Sequence, residues 1–174
     1  MKPLYFLKEN LTCDLFIQNP DGDILLIQRS LTAEACPGQW ALPGGFVDTV
    51  SKRNEIWVAG TETPSEAAIR ELKEETNLSL PLDSNILPIG IFEGGNRDPR
   101  DTDERWTKSF AYFYKIPADI YETQKSLIRG MDDADDARWH SLDSLKDLDI
   151  AFDHRQIIQQ GIEKYLGSKK QLKM

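Results

Sequence analysis

Residues 62–78 read ETPSEAAIRELKEETNL, and the reading of the whole chain turns on this stretch. Thr63-Pro64-Ser65-Glu66 satisfies three helix-start rules together. Thr63 can cap, Pro64 takes the first helical position, where its missing N–H is no loss, and Glu66 can close a capping box. Asn77 follows Thr76 where a left-handed residue would end the helix, a conformation that Asn tolerates. The spacing predicts a helix over Pro64–Thr76. At roughly 100° per residue, Ala68, Ile69, Leu72 and Thr76 share one side, the expected core face. Glu71, Glu74 and Glu75 share an arc of about 100° on another side. Like charges at helical neighbour spacing repel, and Lys73 lies too far from the arc to relieve them. Composition alone allows a merely solvated acidic face. Hard oxygen ligands clustered in this way also suit magnesium, which binds carboxylates, water and substrate phosphate together and would remove the repulsion.

Upstream, Trp40-Ala41-Leu42-Pro43-Gly44-Gly45-Phe46 places two glycines before the helix. A glycine pair lets backbone approach a ligand closely and leaves its carbonyls unobstructed. Further out, Leu11–Gln18 and Asp23–Gln28 flank Asn19-Pro20-Asp21-Gly22 and predict a hairpin. Ile86–Phe92 and Lys108–Tyr114 read as strands, with a shorter one at Arg138–His140. A short helix is expected over Leu142–Leu148. A longer one is expected over Phe152–Leu166, with Ile157, Ile158, Ile162 and Tyr165 forming a core stripe. The tail Lys169–Lys173 is expected to fray. Strands mixed with separated helices indicate an α/β or α+β domain and exclude a helical bundle.

The bulk properties narrow the function classes. At 174 residues, with 40% hydrophobic and 29% charged, the chain is the size of one domain with a real core. A net charge of −8 repels nucleic-acid backbones at long range, although a phosphate substrate stays open if cations neutralise it. The longest aliphatic run, Ile24–Ile27, cannot span a bilayer. Met1–Lys8 is too short in apolar residues for a secretory signal, and Cys13 and Cys36 are the only cysteines. A reduced, cytoplasmic protein is the expectation.

Taken together, the glycine pair and the acidic helix resemble the Nudix box. That pattern is a glycine, five residues, a glutamate, seven residues, then Arg-Glu-aliphatic-x-Glu-Glu-x-Gly-aliphatic. Here Glu62 is followed after seven residues by Arg70-Glu71-Leu72-Lys73-Glu74-Glu75-Thr76-Asn77-Leu78. Two departures stand out. Sixteen residues separate Gly45 from Glu62, which places an insertion at about 49–59, and Asn77 replaces the last glycine. The resemblance implies one Nudix hydrolase domain over 1–174, an α/β/α sandwich around a mixed β-sheet. It implies magnesium or manganese held by Glu71 and Glu75, with Glu74 as a further ligand or water-positioning group and the Gly44 carbonyl as an added ligand. Arg70 would orient the glutamates, and Glu62 and Gly45 would support them. The chemistry implied is metal-dependent cleavage of the pyrophosphate in a nucleoside diphosphate derivative. It needs no Ser-His or Cys-His nucleophile, which leaves His140 and His154 structural or supporting roles.

Selectivity lies outside the box. Arg97-Asp98-Pro99-Arg100, then Trp106 and a strand, is similar to the ADP-ribose pyrophosphatase branch, as is Ala151-Phe152-Asp153-His154. That branch implies ADP-ribose as substrate, giving AMP and ribose 5-phosphate. Arg97 and Arg100 are then candidates to grip phosphate, and Phe46, Trp106 or Phe92 to stack a base. Asp132, Asp133, Asp135 and Asp136 are loop acids that could add a base or a distal metal ligand. The expected partner is a small nucleotide, with no nucleic acid and no membrane, and a homodimer is compatible. Alternatives are a Nudix hydrolase of NADH, dinucleotides or damaged nucleoside triphosphates, and a non-catalytic ADP-ribose-sensing module. Regulators of the last kind carry an added basic domain and degenerate boxes, whereas all box carboxylates stand here.

Overall fold

The computed structural model describes residues 8–48, 50–53, 56–94 and 97–167. The expectations for Met1–Leu7 and for the tail Lys169–Lys173 lie outside these residues. Among the described residues, seven strands form one mixed sheet: β1 (Glu9–Gln18), β2 (Ile24–Arg29), β3 (Trp40–Ala41), β4 (Gly44–Phe46), β7 (Leu87–Glu93), β8 (Trp106–Lys115) and β9 (Ala134–His140). The spatial order is β3-β2-β1-β8-β7, with β4 pairing β1 and β9 pairing β2. β1 and β8 run parallel, from Glu9↔Trp106 to Gln18↔Lys115, while the other strand pairs are antiparallel.

The alternation along β1 explains the layers. Cys13, Leu15 and Ile17 point into a core with Ala67, Ala68 and Leu72 of helix α1 (Pro64–Thr76). Phe16 points the other way, into a core with Ile157, Ile158 and Ile162 of helix α3 (His154–Tyr165). A strand whose side chains leave both faces apolar must be covered on both. The result is a mixed sheet with flanking helices. At Gly161 any Cβ would come within 2.6 Å of the Phe16 ring, so α3 lies close against the sheet there.

The helix of the opening stretch forms as its caps dictate. Thr63 accepts from the Glu66 N–H, the Glu66 carboxylate accepts from the Thr63 N–H, and Asn77 closes the helix at φ 63°. Its buried side chains are Ala67, Ala68, Leu72, Glu75 and Thr76. The helix is therefore rolled relative to the expected core face. Ile69 is only partly buried, while Glu75, from the acid arc, turns inward.

Other differences have local causes. The insertion forms a two-stranded antiparallel sheet of its own, β5 (Val50–Arg53) with β6 (Ile56–Ala59), while Thr49, Asn54 and Glu55 lie outside the described residues. Helix α2 (Ala118–Gln124) was not expected, because it buries no residue and so carries no apolar period. Leu142–Asp147 is a 3-10 helix. The last helix begins at His154, later than expected, because Phe152 takes φ 53° and breaks the helical path just before it. No helix among the described residues is long and apolar enough to cross a membrane.

Candidate functional site

Two glycines bring strand and helix together. In the β1–β4 ladder Gly45 pairs with Cys13, so the flanking Gly44 and Phe46 turn their backbone groups outward, toward α1. The Gly44 N–H donates to Glu75 Oε2 at 3.0 Å, and Arg70 Nη2 donates to the Phe46 carbonyl at 3.0 Å. The Gly44 carbonyl lies on that same outward edge. A Cβ at Gly45 would stand 2.7 Å from the Glu71 carboxylate, and one at Gly44 would stand 2.1 Å from the Cys13 carbonyl oxygen. Neither position can accept a side chain without moving backbone or carboxylate.

Arg70 is the hub on the helix side. It donates from Nε and Nη2 to Glu62 at 2.7 and 3.0 Å, and from Nη1 to Glu71 at 2.8 Å and to Glu74 at 2.9 Å. Glu62 also accepts from the Asp48 N–H at 2.6 Å, which fixes the chain leaving β4. The carboxylates expected to lack a cation thus have Arg70 between two of them. Its guanidinium is held charged mainly by the Glu62 hydrogen bonds.

Glu75 is left out of that arrangement. It is 2% exposed, has no ion pair among the described residues, and accepts only the Gly44 amide. Burial, and then the charge of Glu71, push its carboxyl well above the ordinary range, against the pull of the Gly44 amide and of the Arg29 charge. Burial also raises Glu71, against the pull of Arg70, and Glu74 and Asp133 add to the rise. Asp133 is brought near by Met131 N–H, which donates to the Glu75 carbonyl at 2.9 Å, and by Arg129 N–H, which donates to the Thr76 carbonyl at 3.2 Å. Among the expected loop acids it is the one that acts on both glutamates.

These residues fit a divalent cation. Buried Glu75 and half-buried Glu71 both have raised proton affinity, no ion pair among the described residues reaches Glu75, and a backbone carbonyl edge lies beside them. No three His, Cys, Asp or Glu side chains among the described residues form a closed cage. Magnesium does not require one, since it commonly takes one or two carboxylates and completes its shell with water and substrate phosphate.

On the opposite side of the glycine strand lies a pocket lined by Thr12, Asp14, Arg29, Gly45, Phe46, Arg100, Phe152 and His154, among others. Arg100 sits 5.5 Å from the Phe46 ring centre and Arg29 5.1 Å from that of Phe152, so two cation–aromatic pairs border it. Arg100 is gripped by Asp98 at 2.9 and 2.7 Å. Arg29 donates from Nε to the Ala35 carbonyl at 2.9 Å. Its terminal nitrogens have no hydrogen-bond or ion-pair partner among the described residues.

Arg97 has a different setting from the exposed grip that its sequence neighbourhood suggested. Its side chain is 6% exposed and its donors are engaged: Nε and Nη2 with Asp153 at 3.0 and 2.8 Å, Nη2 also with Asp14 at 3.3 Å, and Nη1 with Thr107 at 3.2 Å. Asp14 accepts as well from Ser109 and from His154 Nε2 at 3.0 Å. The Leu42 N–H donates to His154 Nδ1 at 2.9 Å, which places the imidazole proton on Nε2, facing Asp14. Burial would raise the Asp14 carboxyl, but His154, Arg97 and Ser109 outweigh it and hold it at about 2. Trp106 opens β8, its carbonyl accepting from Asn10, and it is not among the residues lining the pocket. Phe92 is buried in the α3-side core.

Sequence reasoning gave no site role to Arg29 or Asp14, and Phe152 entered only within the segment Ala151–His154. For Asp14 the available signal was an acid between Cys13 and Leu15 in mid-strand.

The comparisons with known proteins bear on family and fold. The model of the NUDIX domain matches residues 9–161. An ADP-ribose pyrophosphatase of Methanocaldococcus jannaschii is 34% identical over 139 residues, covering 80% of this chain and 65% of that protein. An ADPR responsive transcriptional repressor, NtrR, of Acinetobacter baylyi is 32% identical over 153 residues, covering 86% of this chain and 52% of that one. The chain thus spans between half and two thirds of the length of these curated relatives. Among solved structures, a bifunctional NMN adenylyltransferase/ADP ribose pyrophosphatase of Francisella tularensis, complexed with AMP and a manganese ion, superposes with a TM-score of 0.66. It is 28% identical, and the match covers 91% of this chain and 42% of that one. With the Arg70–Glu62 hub, the glycine strand and a family match over most of its length, this chain belongs to the NUDIX family.

Proposed function

We propose that this chain hydrolyses the pyrophosphate of ADP-ribose to AMP and ribose 5-phosphate, with a divalent cation held by Glu71, Glu75 and the Gly44 carbonyl. The observation that carries the proposal is the seam where the Gly44–Gly45 backbone meets half-buried Glu71 and buried Glu75, with a cation-bordered pocket behind it. In the reaction water adds to one phosphorus, the bridging P–O bond breaks, and the proton from water leaves to solvent or to the departing phosphate. When bound, the cation supplies charge neutralisation on the diphosphate, acidification of a water and stabilisation of the leaving phosphate.

The chain's own residues do the rest. Arg70 fixes the rotamers of Glu71 and Glu74 against Glu62, so the carboxylates are aimed before substrate arrives. Glu74, 44% exposed, stands at the open side as a further ligand or water-positioning group. Arg29 has terminal donors to offer a phosphate, and Arg100 adds a second cation beside the Phe46 ring. Phe46 and Phe152 supply faces for a base or ribose. Arg97 supports Arg100 through the adjacent Asp98. Trp106 would bear on substrate only from outside this pocket.

The names of the relatives favour ADP-ribose on the substrate side. A panel of ADP-ribose, NADH, diadenosine polyphosphates and oxidised deoxyguanosine triphosphate with magnesium, read by chromatography of products, tests it. ADP-ribose is expected to show the highest kcat/KM, and a better rate on the triphosphate overturns the assignment. The resemblance to a repressor responsive to ADPR favours a second reading, a module that binds ADP-ribose without cleaving it. Calorimetric binding without AMP formation would select that reading.

A further inference from the structure

The buried charges behind the glycine strand are more connected than packing requires. Asp14, on β1 opposite Gly44, has two arms. One runs through His154 to the Leu42 amide, two residues before Gly44, whose own amide holds Glu75. The other runs through Arg97, whose next residue, Asp98, accepts from Arg100 Nε, Nη2 and N–H; Arg100 in turn lies over Phe46, whose carbonyl accepts from Arg70. Both ends of β4 are thereby referred to one carboxylate that is itself 6% exposed. Ser109 of β8 donates to the same carboxylate, and Asp153, the residue before α3, holds Arg97 against it, so a shift of Asp14 disturbs β8 directly and the start of α3 through Arg97.

We infer that Asp14 is a positioning residue, which sets the distance between the Arg100–Phe46 wall of the pocket and the carboxylates of α1. Its backbone pairs with Gly44 and it lines the pocket, but its carboxylate is taken up by His154, Arg97 and Ser109, and it acts through His154 and Arg97. This inference rests on the pocket being the substrate site, but the positioning itself is a property of the substrate-free chain and can be read without ligand.

The experiment compares wild type, Asp14→Asn, Arg100→Ala and the double variant, with Ser109→Ala as a milder change that keeps the carboxylate and removes one brace. In substrate-free protein, amide exchange over 42–46 and 97–101 is expected to speed up by about tenfold in Asp14→Asn, with α1 within about twofold of wild type. Ser109→Ala should move the same two segments by less, and it decides the matter if Asp14→Asn does not fold. With ADP-ribose, Asp14→Asn is expected to raise KM about tenfold while kcat changes by less than about threefold. In the Arg100→Ala background its further effect on KM should fall within about twofold, since the two residues act in series. Acceleration spread evenly over α1 and the sheet, or multiplication of the two KM effects in the double variant, overturns the inference. If wild type neither binds nor cleaves ADP-ribose, the proposed function fails, while the exchange data still decide the role of Asp14.

Discussion

Asp14 and Glu75 are both carboxylates buried to nearly the same degree, 6% and 2% exposed, and they titrate in opposite directions. Asp14 receives donors from an arginine, an imidazole and a hydroxyl, and its carboxyl is held at about 2. Glu75 receives one amide and faces Glu71, and its carboxyl is pushed up. Burial is common to both, so the neighbours decide the sign. The Asp14 cluster is electrostatically finished by the chain itself. The α1 side is left short of positive charge, as a cation and a phosphate substrate would require.

Isosteric neutralisation should therefore have opposite effects on the two sides. Asp14→Asn is expected to lower unfolding free energy by about 3 kcal/mol, because it leaves Arg97 half-paired in the interior. Glu75→Gln should instead stabilise the metal-free protein. Chemical denaturation of both variants in a chelator checks this, and the same sign in both would erase the contrast.

Activity should reverse the ranking on the helix side. Glu75→Gln is expected to reduce kcat by roughly 10²-fold while circular dichroism stays unchanged. Glu66→Gln, which weakens only the capping box, should leave kcat within about threefold. Equal losses in the two variants would mean that the acid arc is not the reacting face.

The pH dependence separates the two groups again. A depressed carboxyl contributes stability that is present above its unfolded value of 3.8 and is lost as pH falls toward about 2. That loss is worth about 2 kcal/mol for Asp14 and should be missing from the acid limb of Asp14→Asn. A raised carboxyl works the other way: Glu75 contributes below its unfolded value of 4.5, and this is lost as pH rises through its higher folded value. The metal-free protein should thus weaken on the neutral side of 4.5, and Glu75→Gln should flatten that limb. Stability curves from pH 2 to 8 in chelator test both limbs.

The smallest effect is expected from the cation itself. Magnesium at about ten times its dissociation constant should raise Tm by a few degrees in wild type, and by less in Glu71→Gln. A response in Glu71→Gln equal to that of wild type would remove Glu71 from the ligand set.

What the sequence shows and what it hides follow from range. Helix α1 is legible to the residue, because Thr63, Pro64, Glu66 and Asn77 act within a turn of each other. Arg70 is legible as an orienting residue because the resemblance to the box carries it, whereas its pairing with Glu62 shows only in the fold. The Asp14 cluster is not, since Arg97, Ser109 and His154 reach it from distant parts of the chain. Arg29 lies one residue beyond the strand read as Asp23–Gln28, and only the fold shows Phe152 beneath it. The strands Trp40–Ala41 and Gly44–Phe46 are too short for a period of two to register.

The parallel pairing of β1 with β8 has a consequence for how the chain is made. Synthesis delivers the first strand, with Asp14 among apolar neighbours, long before Trp106–Lys115 leaves the ribosome to receive it. Until then its hydrogen-bonding edge toward β8 is open to any other extended segment, and long-range parallel closure is intrinsically slow. A slip of one residue on closure would send Asp14 into the apolar layer under α1 and Cys13 among the charges of Arg97 and His154. The charge that makes the finished molecule coherent thereby also penalises the misregistered one, and serves as a proofreading mark on this long-range pairing.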